Sequence, residues 1–398
     1  MDKTSPLMMA GVYSVFLELQ TMKKNTKIFI LVTTFLYFLE GLWMVYMGDI
    51  HTDESWWFYG SALTAAGSFP HFDFISHHNS LFYFVYSIPQ YLFGNSIIIG
   101  RLTSLFFALL TFILTMRLAN KEGGRIALYI AAALFLINLF TIHRYTQIHY
   151  QVLQTFLLIS LASVLFSSLN KYKRAVYSIL LSFCLMWVRY PIDYFSLFFT
   201  VSMVYSIFAN RKDKKYVLLV LSAASVGFII VYGQYLTLIF EKFYFNTIWY
   251  IFFMGSFKEV FGLSDYTLMD SIAMRAHWIK TTVNNFFPIL VLMTSIIIIK
   301  LSRLNKIKDK REYYKSMAKN KYFILFFFII IKNLFYIIPH SSDLPAQTNF
   351  IFPLMVLFAS VGFVRVLNKN YSNRNIGFIV SLIFLGSLLQ LPVGEQNI

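Results

Sequence analysis

The chain has 398 residues, 58% of them hydrophobic and 19% aromatic, with a mean hydropathy of +0.63. A soluble domain of this length has too little interior to hide that much apolar surface, so the composition excludes a water-soluble globule and predicts a protein embedded in lipid. The net charge of +16 could suggest nucleic acid. The cations instead sit in short loops between apolar runs, the pattern of cytoplasmic loops, with anionic headgroups as their expected partner.

Residues 1–27 read as an N-terminal cytoplasmic or interfacial segment. Within it, residues 1–21 are either an interfacial helix or an over-long start, because Met22-Lys23-Lys24 ahead of the first apolar run looks like a natural beginning. Residues 7–17 are apolar but precede the charged flank, the reverse of a signal peptide. Residues 28–398 read as a single transmembrane domain. Apolar runs predict spans near 28–48, 97–118, 125–142, 148–169, 175–190, 194–209, 216–238, 283–300, 322–338, 350–366 and 376–391. No stretch alternates at period two as a barrel strand would, so the expected fold is all-α and polytopic, with about eleven spans.

The run 81–93 decides the topology. It is short, contains Pro89 and ends at Gly94-Asn95. If it crossed, the nine cations between Lys300 and Lys321 would face outward; if it lies flat, every strongly basic loop is cytoplasmic at once. It is therefore read as an outer juxtamembrane helix. The outer loops are then 49–96, 239–281 (with a second interfacial helix) and 339–349. All eight histidines fall in or beside outward-facing segments, as do Asp53, Arg144, Arg189 and Asp343.

The stretch 49–80 gathers Asp49, Asp53, Glu54 and Asp73 with His51, His71, His77 and His78, and no Lys or Arg occurs between Lys27 and Arg101. Such polarity beside a bilayer is costly unless it faces water or a polar substrate. Thr52-Asp53-Glu54 precedes a helix predicted to about Ala66. A cap and a favourable helix-dipole contact would explain these residue types. The functional reading is a general base at the water–membrane boundary, able to take a proton from an incoming hydroxyl. Neighbouring helical residues point about 100° apart, so Asp53 and Glu54 should have different jobs. Glu54, His77 and His78 are the candidate set for a divalent metal; polar residues at the headgroup boundary are the plainer reading.

Arg189-Tyr190-Pro191 puts a cation at the outer end of a span, and Arg144 and His340 sit at the outer ends of others. Each alone suits snorkelling; three at one level suit a lipid phosphate. Trp56-Trp57 reads as an aromatic-belt anchor. Cys184 is the one cysteine, which excludes an internal disulfide and reads as a packed thiol.

The order of a first span, an outer Asp-Glu, the segment HHNSLFYFVYSIPQYLFG and then GRLTSLFFALLTFILTMRLA resembles the GT-C glycosyltransferases of the protein O-mannosyltransferase and aminoarabinose-transferase type. In that family the outer Asp is the proposed base. The family's juxtamembrane helix opens with a His- or Lys-Pro-Pro-Leu element, which His77-His78-Asn79-Ser80-Leu81 matches in position but without the prolines. A family Lys-x-Pro matches Arg189-Tyr190-Pro191, with Arg for Lys. HRYTQIHYQVLQTFLL resembles the Arg-rich approach to the fourth span, with His149 and Gln151 where an acidic residue often stands. The resemblance covers residues 28–210 well; beyond them only PHSSDLPAQTNFIFPLM resembles a family loop. It implies a polyprenyl-phosphate sugar donor, a lipid, glycan or protein acceptor, and a site facing the exterior of a bacterial inner membrane. It also implies Asp53 as base, with Arg144, Arg189 and His340 on the phosphate and Glu54, Tyr145, His77, His78 and Asp343 around sugar or acceptor. A lipid-linked glycan flippase or other transporter, and a polysaccharide polymerase, are the rival readings. The first should carry polar residues deep inside several spans, and the second does not need Asp-Glu just after the first span.

Overall fold

The computed structural model describes residues 24–50, 52–70, 73–74, 80–188, 203, 207, 210–236, 268–304 and 344–367. Among these residues there are ten helices and no strand: α1 Lys24–Met47, α2 Thr52–Ala65, α3 Ser80–Phe93, α4 Ile97–Leu136, α5 Leu139–Thr146, α6 Tyr150–Leu165, α7 Lys171–Val188, α8 Lys214–Leu236, α9 Leu268–Leu304 and α10 Leu344–Leu367. α1, α4 and the Ile279–Ile297 part of α9 are each long and apolar enough to cross a membrane. Apart from Met203 and Ile207, the expected spans 194–209, 322–338 and 376–391 lie outside the described residues.

α4 runs for 40 residues but is broken at Gly124, whose φ of 73° and ψ of −167° no L side chain adopts without strain. Two helices therefore meet end to end at the charged Lys121–Arg125 segment, where the sequence predicts one span to stop and the next to begin. α9 differs from expectation. Its helix already begins at Leu268 inside the expected outer loop 239–281, and helical backbone continues through Asp270, Arg275, His277 and Lys280. Hydropathy marks where lipid begins, whereas backbone hydrogen bonding can carry a helix well past that boundary.

The chain divides into two compact units. The first comprises Met1–Glu40, Leu109–Arg144 and Ile272–Ile398. Its core is aromatic: Tyr37 stacks on Phe112 at 4.8 Å, Phe112 meets Phe135 at 5.3 Å, and Phe135 meets Phe352 at 4.9 Å. Lipid tails are as apolar as these side chains, so helix association here rests on close packing, about 0.5–1.5 kcal/mol per well-placed ring pair beyond area burial. At one end, Arg365 bonds the carbonyl and the carboxylate of Glu122 at 3.1 and 3.3 Å. At the other, the Asn138 amide donates to the Asn285 carbonyl at 3.0 Å. The basic ends of α10 and of the first half of α4 thus share a level, as the charge pattern predicts.

The second unit comprises Gly41–Ala108 and Tyr145–Ser271. α7 packs against α8 through Ile179, Phe183 and Met186 on one side and Tyr216 and Val220 on the other. Trp187 of α7 also meets Phe84 of α3, with ring centres 6.3 Å apart. α7 and α8 start from the same end, where Lys171 pairs with Asp213 at 2.5 Å, so they run parallel. Asn170 and Asp213 cap the two helices by accepting from Lys173 N at 2.9 Å and Tyr216 N at 3.1 Å.

This unit also answers the question of the run 81–93. Arg101, in the first turns of α4, donates to the carbonyls of Val45, Gly48 and Asp49 at 3.0, 2.8 and 2.8 Å. The end of α1 and the start of α4 therefore lie at one level, and a single crossing between them is impossible. α3, with 14 residues, is about 21 Å long, short of a hydrocarbon core of roughly 30 Å. The segment that holds α2 and α3 thus leaves and returns at one level.

Candidate active site

The site grows from Arg101, the first cation after a 73-residue interval without one (residues 28–100). Its side chain is 4% exposed, where an unpaired guanidinium would be very costly. All five of its N–H groups have acceptors. Nε donates to Glu54 Oε1 at 2.8 Å and Nη2 to Glu54 Oε2 at 2.7 Å, a bidentate pair. Nη1 takes the Val45 and Gly48 carbonyls, and the second Nη2 hydrogen takes that of Asp49. Those carbonyls belong to the end of α1, where the helix dipole is negative and a cation is favoured.

Glu54 is 0% exposed, and its Oε1 also accepts the backbone N–H of Ile148 at 3.0 Å. One carboxylate thus ties the first turn of α2 to the start of α4 and to the segment entering α6. Gly100 permits this approach: a Cβ there would stand 2.3 Å from Ile148 Cδ1. A larger residue there would force the Ile148 side chain to move aside.

Burying Glu54 sets the rotation of α2. Trp57, one turn on, is 8% exposed and packs edge-on against His149 at 4.0 Å, while Trp56 is 66% exposed. Asp53 is turned outward and is exposed. The two acidic neighbours therefore point different ways, as their helical spacing predicts: Glu54 is buried against Arg101 and Asp53 faces the medium. Trp57 is a packing residue and not a belt anchor; Trp56 keeps the belt position. His149, 6% exposed, caps α6 by accepting Gln151 N–H at Nδ1, 3.0 Å away, which leaves its ring proton on Nε2.

Glu54, read from sequence as a substrate or metal contact, is held by Arg101, so a metal at its oxygens would have to displace that guanidinium. Among the described residues no three His, Cys, Asp or Glu side chains gather as a metal site. Tyr145 is 2% exposed and Arg144 half-buried at the end of α5. His77, His78, Arg189, His340 and Asp343 lie outside the described residues. Sequence reasoning missed Arg101 and the capping role of His149. The signal for Arg101 was present: a lone cation opening an apolar span needs a buried anion, and the acids of 49–73 are the nearest in sequence.

Long apolar helices, with a short helix between the end of one and the start of the next and a polar clamp at their shared level, define a helical, polytopic integral membrane protein. Neither a scan against protein-family models nor a search of curated proteins finds a match. Among solved structures, the chain is similar to the crystal structure of ArnT from Cupriavidus metallidurans bound to undecaprenyl phosphate, with a TM-score of 0.57 and 11% identity, over 92% of this chain and 64% of that one. The apo structure of the same protein gives a TM-score of 0.41 and 12% identity, over 85% of this chain and 76% of that one. The first likeness shows the fold, which is of the GT-C kind; this chain spans 64% of the length of the protein it matches there.

Proposed function

We propose that the chain is a membrane glycosyltransferase of the protein O-mannosyltransferase or aminoarabinose-transferase kind, taking its sugar from a polyprenyl-phosphate donor. The fold supports this, being shared with a protein solved with undecaprenyl phosphate bound. The observation that carries it is the exposed Asp53, held at the end of the first span by the buried Glu54–Arg101 pair beside it. Asp53 takes the proton of an acceptor hydroxyl as that oxygen bonds to the anomeric carbon. The bond from that carbon to the phosphate oxygen breaks on the opposite side, giving inversion and releasing the polyprenyl phosphate. Arg144, Arg189 and His340 hold the phosphate and offset its developing charge. His77, His78, Tyr145 and Asp343 orient sugar or acceptor. Glu54 is a positioning residue in this scheme. The site faces the exterior of a bacterial inner membrane, and the acceptor is a hydroxyl of a lipid, glycan or protein.

The test is incubation of the purified protein in lipid nanodiscs with a panel of polyprenyl-phosphate sugars, following released polyprenyl phosphate and glycosylated acceptor. Asp53→Asn should fold and bind donor normally, while transfer falls by about two to four orders of magnitude, the usual worth of positioned proton transfer. Near-wild-type transfer by that variant defeats the assignment of the base.

A further inference from the structure

The end of the second unit at which α7 and α8 begin carries a charge cluster that the proposed reaction does not use. The segments 170–174 and 210–216, Asn-Lys-Tyr-Lys-Arg and Asn-Arg-Lys-Asp-Lys-Lys-Tyr, hold seven cations and one acid. The fold brings the two together. Asp213 accepts from Lys171 at 2.5 Å and from the Tyr172 hydroxyl at 3.0 Å. Tyr172 and Tyr216 have ring centres 6.2 Å apart, and the Lys215 ammonium stands 5.7 Å from the Tyr172 ring centre. Asp213 is thus committed three ways, to Lys171, to Tyr172 and to the cap of α8. Lys173, Arg211, Lys212, Lys214 and Lys215 are exposed around it.

Two further features bear on what this cluster binds. Two parallel helices begin here, so two positive dipole ends add to the side-chain charge. Directly beyond the first turns, both helices become apolar: Ile179 and Phe183 of α7 pack with Tyr216 and Val220 of α8. A cationic rim on an apolar helix pair stands at headgroup height, where a phosphate attached to acyl chains can meet both.

We propose that this paired helix start is a binding site for the phosphate headgroup of an anionic phospholipid, in the leaflet opposite the one facing Asp53. Lys173, Arg211, Lys212, Lys214 and Lys215 supply the charge, and the Lys171–Asp213–Tyr172 knot fixes the spacing of the two helices. The site is more than generic loop charge because the fold sets these cations side by side from segments about forty residues apart in the chain.

Native mass spectrometry of the purified full chain, with phosphatidylglycerol or phosphatidylcholine added at equal concentration, tests this. The wild type should retain phosphatidylglycerol preferentially. The variant Lys173→Gln, Lys212→Gln, Lys214→Gln, Lys215→Gln should lose at least about tenfold of that preference, one cation near an anionic surface being worth about fivefold. Asp213 and both caps are untouched, so thermal melting should be unchanged; a melting loss would be met by the milder pair Lys212→Gln, Lys214→Gln, expected to lose at least about fivefold. A control neutralising Lys24, Lys121, Arg125 and Lys369 should keep the preference. Equal loss in control and test variants overturns the proposal, leaving only nonspecific charge. No preference in the wild type also overturns it, as does displacement of the lipid by inorganic phosphate at matching concentration, which would mark a free-anion site.

Discussion

Replacing Glu54 by Gln tests the reasoning most directly, because the structure states what is lost. Arg101 keeps its bonds to the Val45, Gly48 and Asp49 carbonyls. The substituted amide still offers one oxygen, but its nitrogen now faces a guanidinium N–H at the position where an acceptor stood 2.7 or 2.8 Å away. One charge-assisted bond is replaced by two opposed donors, and a 4% exposed cation loses its counter-charge. Removing one partner of a buried pair costs about 3–5 kcal/mol; three remaining carbonyls place this case at the lower end, about 3 kcal/mol. For a chain of this size that is a drop in melting midpoint of roughly 3–5 °C. Asp53→Asn, one residue away, is a near-isosteric change at an exposed position and should cost far less. Scanning fluorimetry of both variants in one detergent makes the comparison. A Glu54→Gln midpoint within a degree of wild type, or no lower than that of Asp53→Asn, would refute the clamp. Exchanging both partners, as in Arg101→Met with Glu54→Met, should recover only part of the loss, since the three carbonyls then lack their donor.

Arg189→Ala should weaken donor binding far more than Arg189→Lys, because a phosphate needs a cation there and the guanidinium fork only improves the fit; equal donor affinity of wild type and Ala variant would favour snorkelling. In a variant lacking Cys184, a cysteine at Ser302 should resist a membrane-impermeant reagent added from outside, whereas one at Ser342 should react; labelling at 302 would reverse the orientation. Asp213 responds to acid: the Lys171 ammonium first, then the Tyr216 N–H and the Tyr172 hydroxyl, hold its carboxyl down at about 2. A lowered folded pKa stabilises above the ordinary carboxylate range, and that contribution fades as pH falls from about 4 towards 2. Melting midpoints of wild type and Asp213→Asn should accordingly differ at pH 6 and converge near pH 2; a constant gap would contradict the ion pair.

Much of the architecture was legible in the residues. Lipid as a solvent demands long apolar helices and sorts cations to one side, so α1, the two halves of α4, α6, α7, α8 and α10 fall where the apolar runs place them. The charge of loops hundreds of residues away predicts that α3 does not cross, and the reach of Arg101 to Gly48 and Asp49 brings the chain back to the level at which α1 ends. Asp53 and Glu54 were legible as a pair pointing different ways, because helical geometry separates neighbours whatever the fold.

Which of the two turns inward, and towards what, is a tertiary fact. It depends on Arg101, 47 positions further on, and on the Ile148 amide, 94 positions away, and no local pattern links them. Likewise Trp57 reads by type as an interfacial aromatic, yet it packs on His149 at 4.0 Å beneath the helix that shows Asp53 to the medium. Hydropathy is additive along the chain and survives as a sequence signal. Hydrogen-bond partnership depends on direction and distance to a few tenths of an ångström, and only the packed helices supply those.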